Sequence, residues 1–200
     1  MLSLDNIVYL FEGGKYINLT NKCENDCDFC IRRNPVGIEG YDLWLKQEPT
    51  ADDVIAELEK LGEPYDVVFC GYGEPTLALD ALKDVARWVK AHGGTTRLNT
   101  NGLANRYWGR NVAEELDGLI DVASISMNEA DAEKYDAICH SIYGKEAFDD
   151  MLEFAEAAGK TSIKTVLSVV DVISAEDIEK CRKLAEKAGV RLRVREYSDK

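Results

Sequence analysis

Short apolar runs and amphipathic stretches take turns along this chain of 200 residues. Asn6 to Phe11 and Lys15 to Leu19 read as two strands around Gly13-Gly14, the pattern of a hairpin. Pro49-Thr50-Ala51-Asp52-Asp53 opens a helix reaching about Leu61, with Thr50 as its N-cap and acids in its first turn. Asp66 to Cys70 is a short apolar strand. Leu79, Leu82, Val85, Ala86 and Val89 recur at helical spacing, so Leu79 to Ala91 is a helix that stops at Gly93-Gly94. The pattern continues with a strand at Thr95 to Thr100, a helix at Tyr107 to Leu116 and a strand at Ile120 to Met127. Helices follow at Glu129 to Ile138 and Glu146 to Ala158, the second ended by Gly159. The last three elements are a strand at Ser162 to Val170, a helix at Ala175 to Ala188 capped by Ser174 and stopped by Gly189, and a strand at Val190 to Tyr197. Strands that alternate with helices build βαβ units and a mainly parallel sheet, so the fold class is α/β. The whole chain, 1–200, reads as one domain without repeats or linkers.

Polar residues gather just past the carboxyl ends of the expected parallel strands. Cys23, Cys27 and Cys30 follow the first, Gly71-Tyr72-Gly73-Glu74-Pro75-Thr76 the second, Asn99-Thr100-Asn101-Gly102 the third, and Ser124, Ser126 and Asn128 the fourth. That edge holds the active site of α/β sheets and barrels. Alternation also puts Arg97, Asn99 and Asn101 on one face of their strand, Ser124, Ser126 and Asn128 on one face of the next, and Lys164 and Ser168 on one face of the fifth. Two readings fit: a sheet face wetted by solvent, or a polar cavity inside a curved sheet that takes a polar ligand.

Charge and cysteine usage narrow the function. Lys and Arg number 24 against 37 Asp and Glu, a net −13. Such a surface repels phosphate backbones and argues against a nucleic-acid partner. No apolar run approaches the ~20 residues that span a bilayer. Met1 to Asp5 lacks a basic region followed by an apolar stretch, which points to a cytoplasmic protein. Three of the six cysteines fall within eight residues, in the spacing C-x3-C-x2-C. A tight triplet of this kind reads as metal binding, not as a disulfide framework. Thiolates hold zinc or iron–sulfur clusters. Both usually take four ligands, and three leave one metal position open for a ligand or for catalysis. The spacing leaves iron–sulfur and zinc as alternatives. Cys70, Cys139 and Cys181 share no ligand spacing: Cys181 reads as a helix-face residue, Cys139-His140 as core, surface or metal-binding, and no auxiliary cluster is expected.

Cys23-x3-Cys27-x2-Cys30, with Phe29 before the last cysteine, resembles the signature of radical S-adenosylmethionine (radical SAM) enzymes. Gly71-Tyr72-Gly73-Glu74-Pro75 resembles the family's Gly-Gly-Glu-Pro loop after the second strand, and Leu98-Asn99-Thr100-Asn101-Gly102 its Thr-Asn-Gly segment after the third. Within the superfamily the chain is most similar to the small radical SAM proteins associated with TatD-type nucleases, and it also resembles activating enzymes of glycyl-radical proteins. The resemblance implies a partial (β/α)6 TIM-like barrel and a [4Fe–4S] cluster held by Cys23, Cys27 and Cys30. S-adenosylmethionine would chelate the fourth iron, and one electron from the cluster would cleave it to a 5′-deoxyadenosyl radical that abstracts a substrate hydrogen. The resemblance also implies an external one-electron donor such as flavodoxin or ferredoxin.

Under that resemblance, carbonyls of Gly71, Tyr72 and Gly73 and the Glu74 carboxylate accept from the cofactor's ammonium group. Arg97 or Lys164 pairs with its carboxylate. Asn99, Ser126 and Asn128 face ribose hydroxyls, Asn101 and Ser124 are further cofactor-binding positions, and Phe29 packs near adenine. Ser126 and Asn128 stand where related activating enzymes often carry Asp and Lys. Arg32 to Glu48 is the one long irregular segment near the cysteines and is expected to act as a lid through Tyr41 and Trp44. Because six strands close only part of a barrel, a bulky substrate or a partner protein is expected to complete the wall. Two rival classes remain: an iron–sulfur electron-transfer or redox-sensing protein, and a zinc-binding interaction module.

Overall fold

A computed structural model describes residues 6–34, 38 and 40–196. The chain forms two compact units. The first comprises Met1–Cys23, Phe29–Asn99 and Leu119–Asp121; the second comprises Glu24–Asp28, Thr100–Gly118 and Val122–Lys200.

The first unit begins with β1 (Val8–Phe11) and β2 (Gly14–Ile17), an antiparallel hairpin with Val8 opposite Ile17 and Phe11 opposite Gly14. Its two-residue turn, Glu12-Gly13, has positive φ at both positions (47° and 77°), as a right-twisted hairpin favours. Helix α1 (Ala51–Leu61) starts from a capping box in which Thr50 and Asp53 each accept from the other's backbone N–H. It buries Val54 and Leu58. Strand β3 (Val67–Phe69) runs parallel to β2, with Ile17 beside Phe69. A single turn of 3₁₀ helix, Pro75–Ala78, leads into α2 (Leu79–Ala91), whose buried stripe is Leu79, Leu82, Val85, Ala86 and Val89, as its spacing predicts. Strand β4 (Thr96–Thr100) runs parallel to β3, Leu98 beside Phe69.

In the second unit, the helix expected over Tyr107 to Leu116 is two short ones, α3 (Ala104–Trp108) and α4 (Val112–Glu115). Gly109 takes a left-handed φ of 63° and ends α3, and Asn111 caps α4 by accepting from Glu114 N–H. Strand β5 (Val122–Ser126) is followed by α5 (Ala132–Cys139). This helix starts later than its pattern suggests because the Asp131 side chain accepts from Lys134 N–H and so serves as N-cap. Helix α6 (Glu146–Gly159) buries Phe148, Met151, Phe154 and Ala155. Strand β6 (Lys164–Val170), helix α7 (Ala175–Lys187, capped by Ser174) and β7 (Arg191–Arg195) complete the unit. β5, β6 and β7 are parallel, with Ser126 beside Ser168 and Ser168 beside Arg193. Tyr197, the expected end of the last strand, lies outside the described residues. Among the described residues no helix is long and apolar enough to cross a membrane.

Asp121 fastens three parts of the first unit. Its carboxylate accepts from Thr96 N–H (2.8 Å), Thr96 Oγ1 (3.1 Å) and Lys90 Nζ (2.7 Å). Burial pushes the carboxyl up, but the Lys90 ammonium and the Thr96 donors outweigh it and hold it below the usual carboxylate range. A folded-state pKa below the unfolded one adds stability at neutral pH that is lost as pH falls through the folded value. Asp121→Asn is expected to lower the urea midpoint at about pH 7 and to flatten the loss of stability towards about pH 3. Urea titrations across that range check it; an acid slope equal to that of the parent chain is the contrary result.

Candidate functional site

The loop after β2 and the turn after β3 meet backbone to backbone. β2 and β3 keep their pairing past the strand ends, for Cys70 N–H donates to Ile17 O (3.0 Å) and Glu74 N–H to Lys22 O (2.8 Å). Between these bonds the chains approach so closely that a Cβ on Gly73 would stand 2.2 Å from Thr20 O and 2.6 Å from Lys22 O. A Cβ on Gly71 would meet Asn18 Oδ1 at 2.0 Å. Both glycines are therefore steric requirements of the approach. They hold the Gly71–Glu74 turn against the residues that lead into Cys23.

Glu74 is buried, and its Oε1 accepts from Thr76 N–H (3.1 Å) and Thr76 Oγ1 (2.8 Å), which caps the Pro75–Ala78 turn. Tyr72 is also buried, in a cluster with Tyr9 and Leu43, and Trp44 stacks edge-on against it at 5.2 Å. Its side chain anchors the turn, leaving the backbone as the part that meets a ligand. On β4, Arg97 and Asn99 share the half-buried face, and Arg97 Nε donates to Asn99 Oδ1 (3.0 Å). With its oxygen accepting from Arg97, the Asn99 amide has its nitrogen as a donor. Phe29 is 54% exposed and free to cover a ligand, with Cys30 directly after it.

The expected lid is docked over the part that is described. Asn21 forms a two-way amide clamp on Leu45, donating from Nδ2 to its carbonyl (2.7 Å) and accepting its N–H (3.0 Å). Asn18 Nδ2 donates to Leu43 O (2.6 Å), and Thr20 Oγ1 donates to Glu48 (2.6 Å). Tyr41 packs against Tyr9. The segment 41–48 is thus a fixed wall because buried amides hold it; Pro35, Gly37 and the neighbours at 36 and 39 lie outside the described residues.

In the second unit, Asn101 donates to Glu24 Oε2 (2.9 Å) and accepts from Leu103 N–H (2.9 Å). Glu24 is buried and burial pushes its carboxyl up. Ser124 and Ser126 lie on one face of β5, Ser124 buried and Ser126 half-buried. Asn128 adopts a left-handed φ of 63°, tolerated by asparagine, and points Nδ2 at Cys139 Sγ (3.4 Å). Lys164 is exposed and opens β6 beside Val122, four residues before Ser168 on the same strand.

All three cysteines of the triplet are half-buried and none is in a disulfide. Soft sulfur donors, unbridged and partly open, fit an iron–sulfur cluster that keeps one iron for another ligand. Among the described residues no three His, Cys, Asp or Glu side chains converge on one metal ion. Cys139 and Cys181 are fully buried, and burial pushes the Cys181 thiol up to about 11. The sequence reading missed Asn18, Asn21, Glu24 and Asn25. Their one signal was density: four amide- or carboxylate-bearing residues within eight positions of the triplet.

A profile of the radical SAM superfamily matches residues 17–188. An uncharacterised protein of Methanocaldococcus jannaschii is 30% identical over 146 residues, which are 72% of this chain and 43% of that protein. The chain therefore spans less than half the length of this relative. A radical SAM methyltransferase from Sphaerobacter thermophilus matches 94% of this chain and 68% of its own, with a TM-score of 0.61 at 14% identity. QueE from Escherichia coli matches 98% of this chain and 91% of its own, with a TM-score of 0.46 at 14% identity. The methyltransferase likeness shows the fold, a partial (β/α)6 TIM-like barrel of the α/β class.

Gly73→Ala is expected to force the turn off the Thr20 and Lys22 carbonyls and to cost about 1–3 kcal/mol, the range for overpacking a tight site. Chemical denaturation of the variant beside the parent chain measures it, and equal midpoints would mean that the two segments are not in contact.

Proposed function

Because the chain belongs to the radical SAM superfamily, we propose that Cys23, Cys27 and Cys30 hold a [4Fe–4S] cluster and that S-adenosylmethionine binds beside it. When bound, the pair supplies a 5′-deoxyadenosyl radical, made by one-electron cleavage of S-adenosylmethionine, that abstracts hydrogen from a substrate. The observation that carries this reading is the backbone contact between the Gly71–Glu74 turn and the residues leading into Cys23. It sets acceptors for an ammonium group next to soft ligands for iron.

The protein's own residues bind and orient. Carbonyls along Gly71, Tyr72 and Gly73 and the carboxylate of Glu74 accept from the cofactor's ammonium. Arg97 pairs with its carboxylate. The amide nitrogen of Asn99 donates to a ribose oxygen, and Ser124 and Ser126 offer hydroxyls. Phe29 covers the adenine and keeps water from it. Asn101 and Asn128 act behind these, through Glu24 and Cys139. The wall at 41–48, with Tyr72 and Trp44 packed edge-on, shields one side of the reacting centre.

We place the chain nearest the small radical SAM proteins associated with TatD-type nucleases, on the Gly-Tyr-Gly-Glu-Pro-Thr form of its turn. Residues 1–200 serve as the radical SAM core, working in the cytoplasm with a flavodoxin- or ferredoxin-like electron donor. A bulky substrate or a partner protein completes the barrel wall.

Anaerobic reconstitution is expected to load about four irons and about four sulfides per chain. Alanine at Cys23, Cys27 or Cys30 should abolish this, and alanine at Cys181 should not. The reduced holoprotein should release 5′-deoxyadenosine from S-adenosylmethionine. Glu74→Gln should weaken S-adenosylmethionine binding with the iron content unchanged. Stoichiometric zinc without iron uptake would favour a zinc module, and a loaded, reduced cluster that binds no S-adenosylmethionine would favour an electron carrier.

A further inference from the structure

Strands β5, β6 and β7 lie in register: Ser124 is beside Val166 and Val166 beside Arg191, and next along the strands Ser126 is beside Ser168 and Ser168 beside Arg193. Residues abreast in a parallel sheet project to the same face, and alternate residues of one strand share it. Arg191, Arg193 and Arg195 therefore stand on the face of Ser124, Ser126 and Ser168. On the opposite face Ala123, Ile125, Leu167 and Val169 are buried, and Leu192 is half-buried. The serine face is the more open one: Ser126 and Val166 are half-buried, and all three arginines are exposed.

No acid shares this face of the three strands. On the second unit's helices cations pair with acids, as Arg106 does with Glu146, Lys134 with Asp177 and Lys160 with Glu156. Among the described residues Arg191 and Arg193 form no ion pair. Their nearest neighbours on the face, Val166, Ser168 and Val170, carry no charge, and Lys164 opens the same face of β6 with a further positive one. Arg195 closes the row, and its carbonyl accepts from Asp171 N–H (3.0 Å). The plain alternative is an edge strand whose charges discourage pairing with another sheet. Charge on either face of β7 would serve that end, yet its other-face positions are Leu192 and Val194. Three arginines on one face, in a chain with 37 acids against 24 bases, mark that face for an anion.

From this arrangement we infer that Arg191 and Arg193 form an anion site that takes the phosphate group of a phosphate-monoester substrate; that the anion belongs to the substrate rests on the radical SAM reading above. The two residues stand about 6.6 Å apart along β7, close enough for both guanidinium groups to close on one anion. Each offers a planar fork of N–H donors that matches two oxygens of a phosphate. A dianion with three terminal oxygens engages both forks, whereas a single carboxylate fills one. Neighbouring strands are about 4.8 Å apart, so the backbone of Arg193 lies about 10 Å across the sheet from that of Ser126. A substrate anchored at β7 thus extends over the face towards the hydroxyls of β5. The chain's net −13 repels anions elsewhere, and a local positive face draws them to this edge.

The test is calorimetric titration of the reconstituted full chain with phenyl phosphate at constant ionic strength, S-adenosylmethionine present, and iron counted in every sample. Phenyl phosphate should bind without displacing S-adenosylmethionine, and benzoate, the carboxylate probe, should bind more weakly. Arg191→Gln and Arg193→Gln should each weaken phenyl phosphate binding about 10-fold or more, as loss of a charge-assisted hydrogen bond does. Arg193→Lys, which keeps the charge and loses the fork, should recover only part of that. Arg182→Gln removes the same charge from an exposed position on α7, where Arg182 pairs with Glu179, and should leave the affinity unchanged. An affinity that ignores both β7 substitutions overturns the inference, and so does an equal loss in the Arg182 variant, which would report net charge alone. Benzoate binding as tightly as phenyl phosphate, or phenyl phosphate displacing S-adenosylmethionine, overturns it too. Each of these results leaves iron content, and with it the cluster reading, intact. A chain that takes up no iron yet binds phenyl phosphate through Arg191 and Arg193 overturns the radical SAM reading and the substrate role while upholding the anion site.

Discussion

Where the Gly71–Glu74 turn crosses the residues ahead of Cys23, there is room for a hydrogen on the Gly73 α-carbon and for nothing larger. The rest of the first unit's ligand-facing edge depends on that contact. The β2–β3 ladder continues through it, from Ile17 beside Phe69 to the Cys70–Ile17 and Glu74–Lys22 bonds, so the two loops leave the sheet in a fixed register. The first cysteine and the acidic turn are held in the same way that strands are held. Mobility there would cost orientation at the proposed cofactor site, and binding geometry tolerates little error.

Further out, no ladder is available, and asparagines take its place. Backbone groups in buried loops need partners, and an amide side chain can both donate and accept. Asn21 does both to Leu45, and Asn101 does both between Glu24 and Leu103. Asn18 holds Leu43, and Asn25 holds the Tyr135 hydroxyl. The service is not free of cost: Asn18 Oδ1 and Glu24 Oε1 are buried polar atoms with no hydrogen-bond partner among the described residues. Buried atoms of that kind typically cost about 1–3 kcal/mol each. They are tolerated at a ligand-facing edge, where rigidity is worth more than stability.

The triplet itself is served by the same device in a softer form. Cys27 is carried on a segment that backbone bonds from Asp26 and Asp28 strap to the end of α5.

Most of the fold and part of the site were legible from the order of residues alone. Local periodicity settles local structure: the stripe from Leu79 to Val89 on α2 and the caps at Thr50 and Ser174 stand where their spacing puts them, since capping and amphipathicity need only neighbours in sequence. The break in the Tyr107–Leu116 helix came from a left-handed Gly109 that an apolar pattern does not register. The cysteine triplet and the Gly-Tyr-Gly-Glu-Pro turn were visible because their chemistry is concentrated in a few adjacent positions. What no spacing could supply is who faces whom across the fold. Asn101 reads as a ligand contact and also donates to Glu24, 77 residues away. Tyr72 reads as part of a binding turn and is an anchor beneath it. Cys139, fully buried, is joined through its backbone carbonyl to Asp26, far earlier in the chain. A hydrogen bond is decided by a distance of a few ångströms, and only the packed chain sets distances between residues so far apart in sequence.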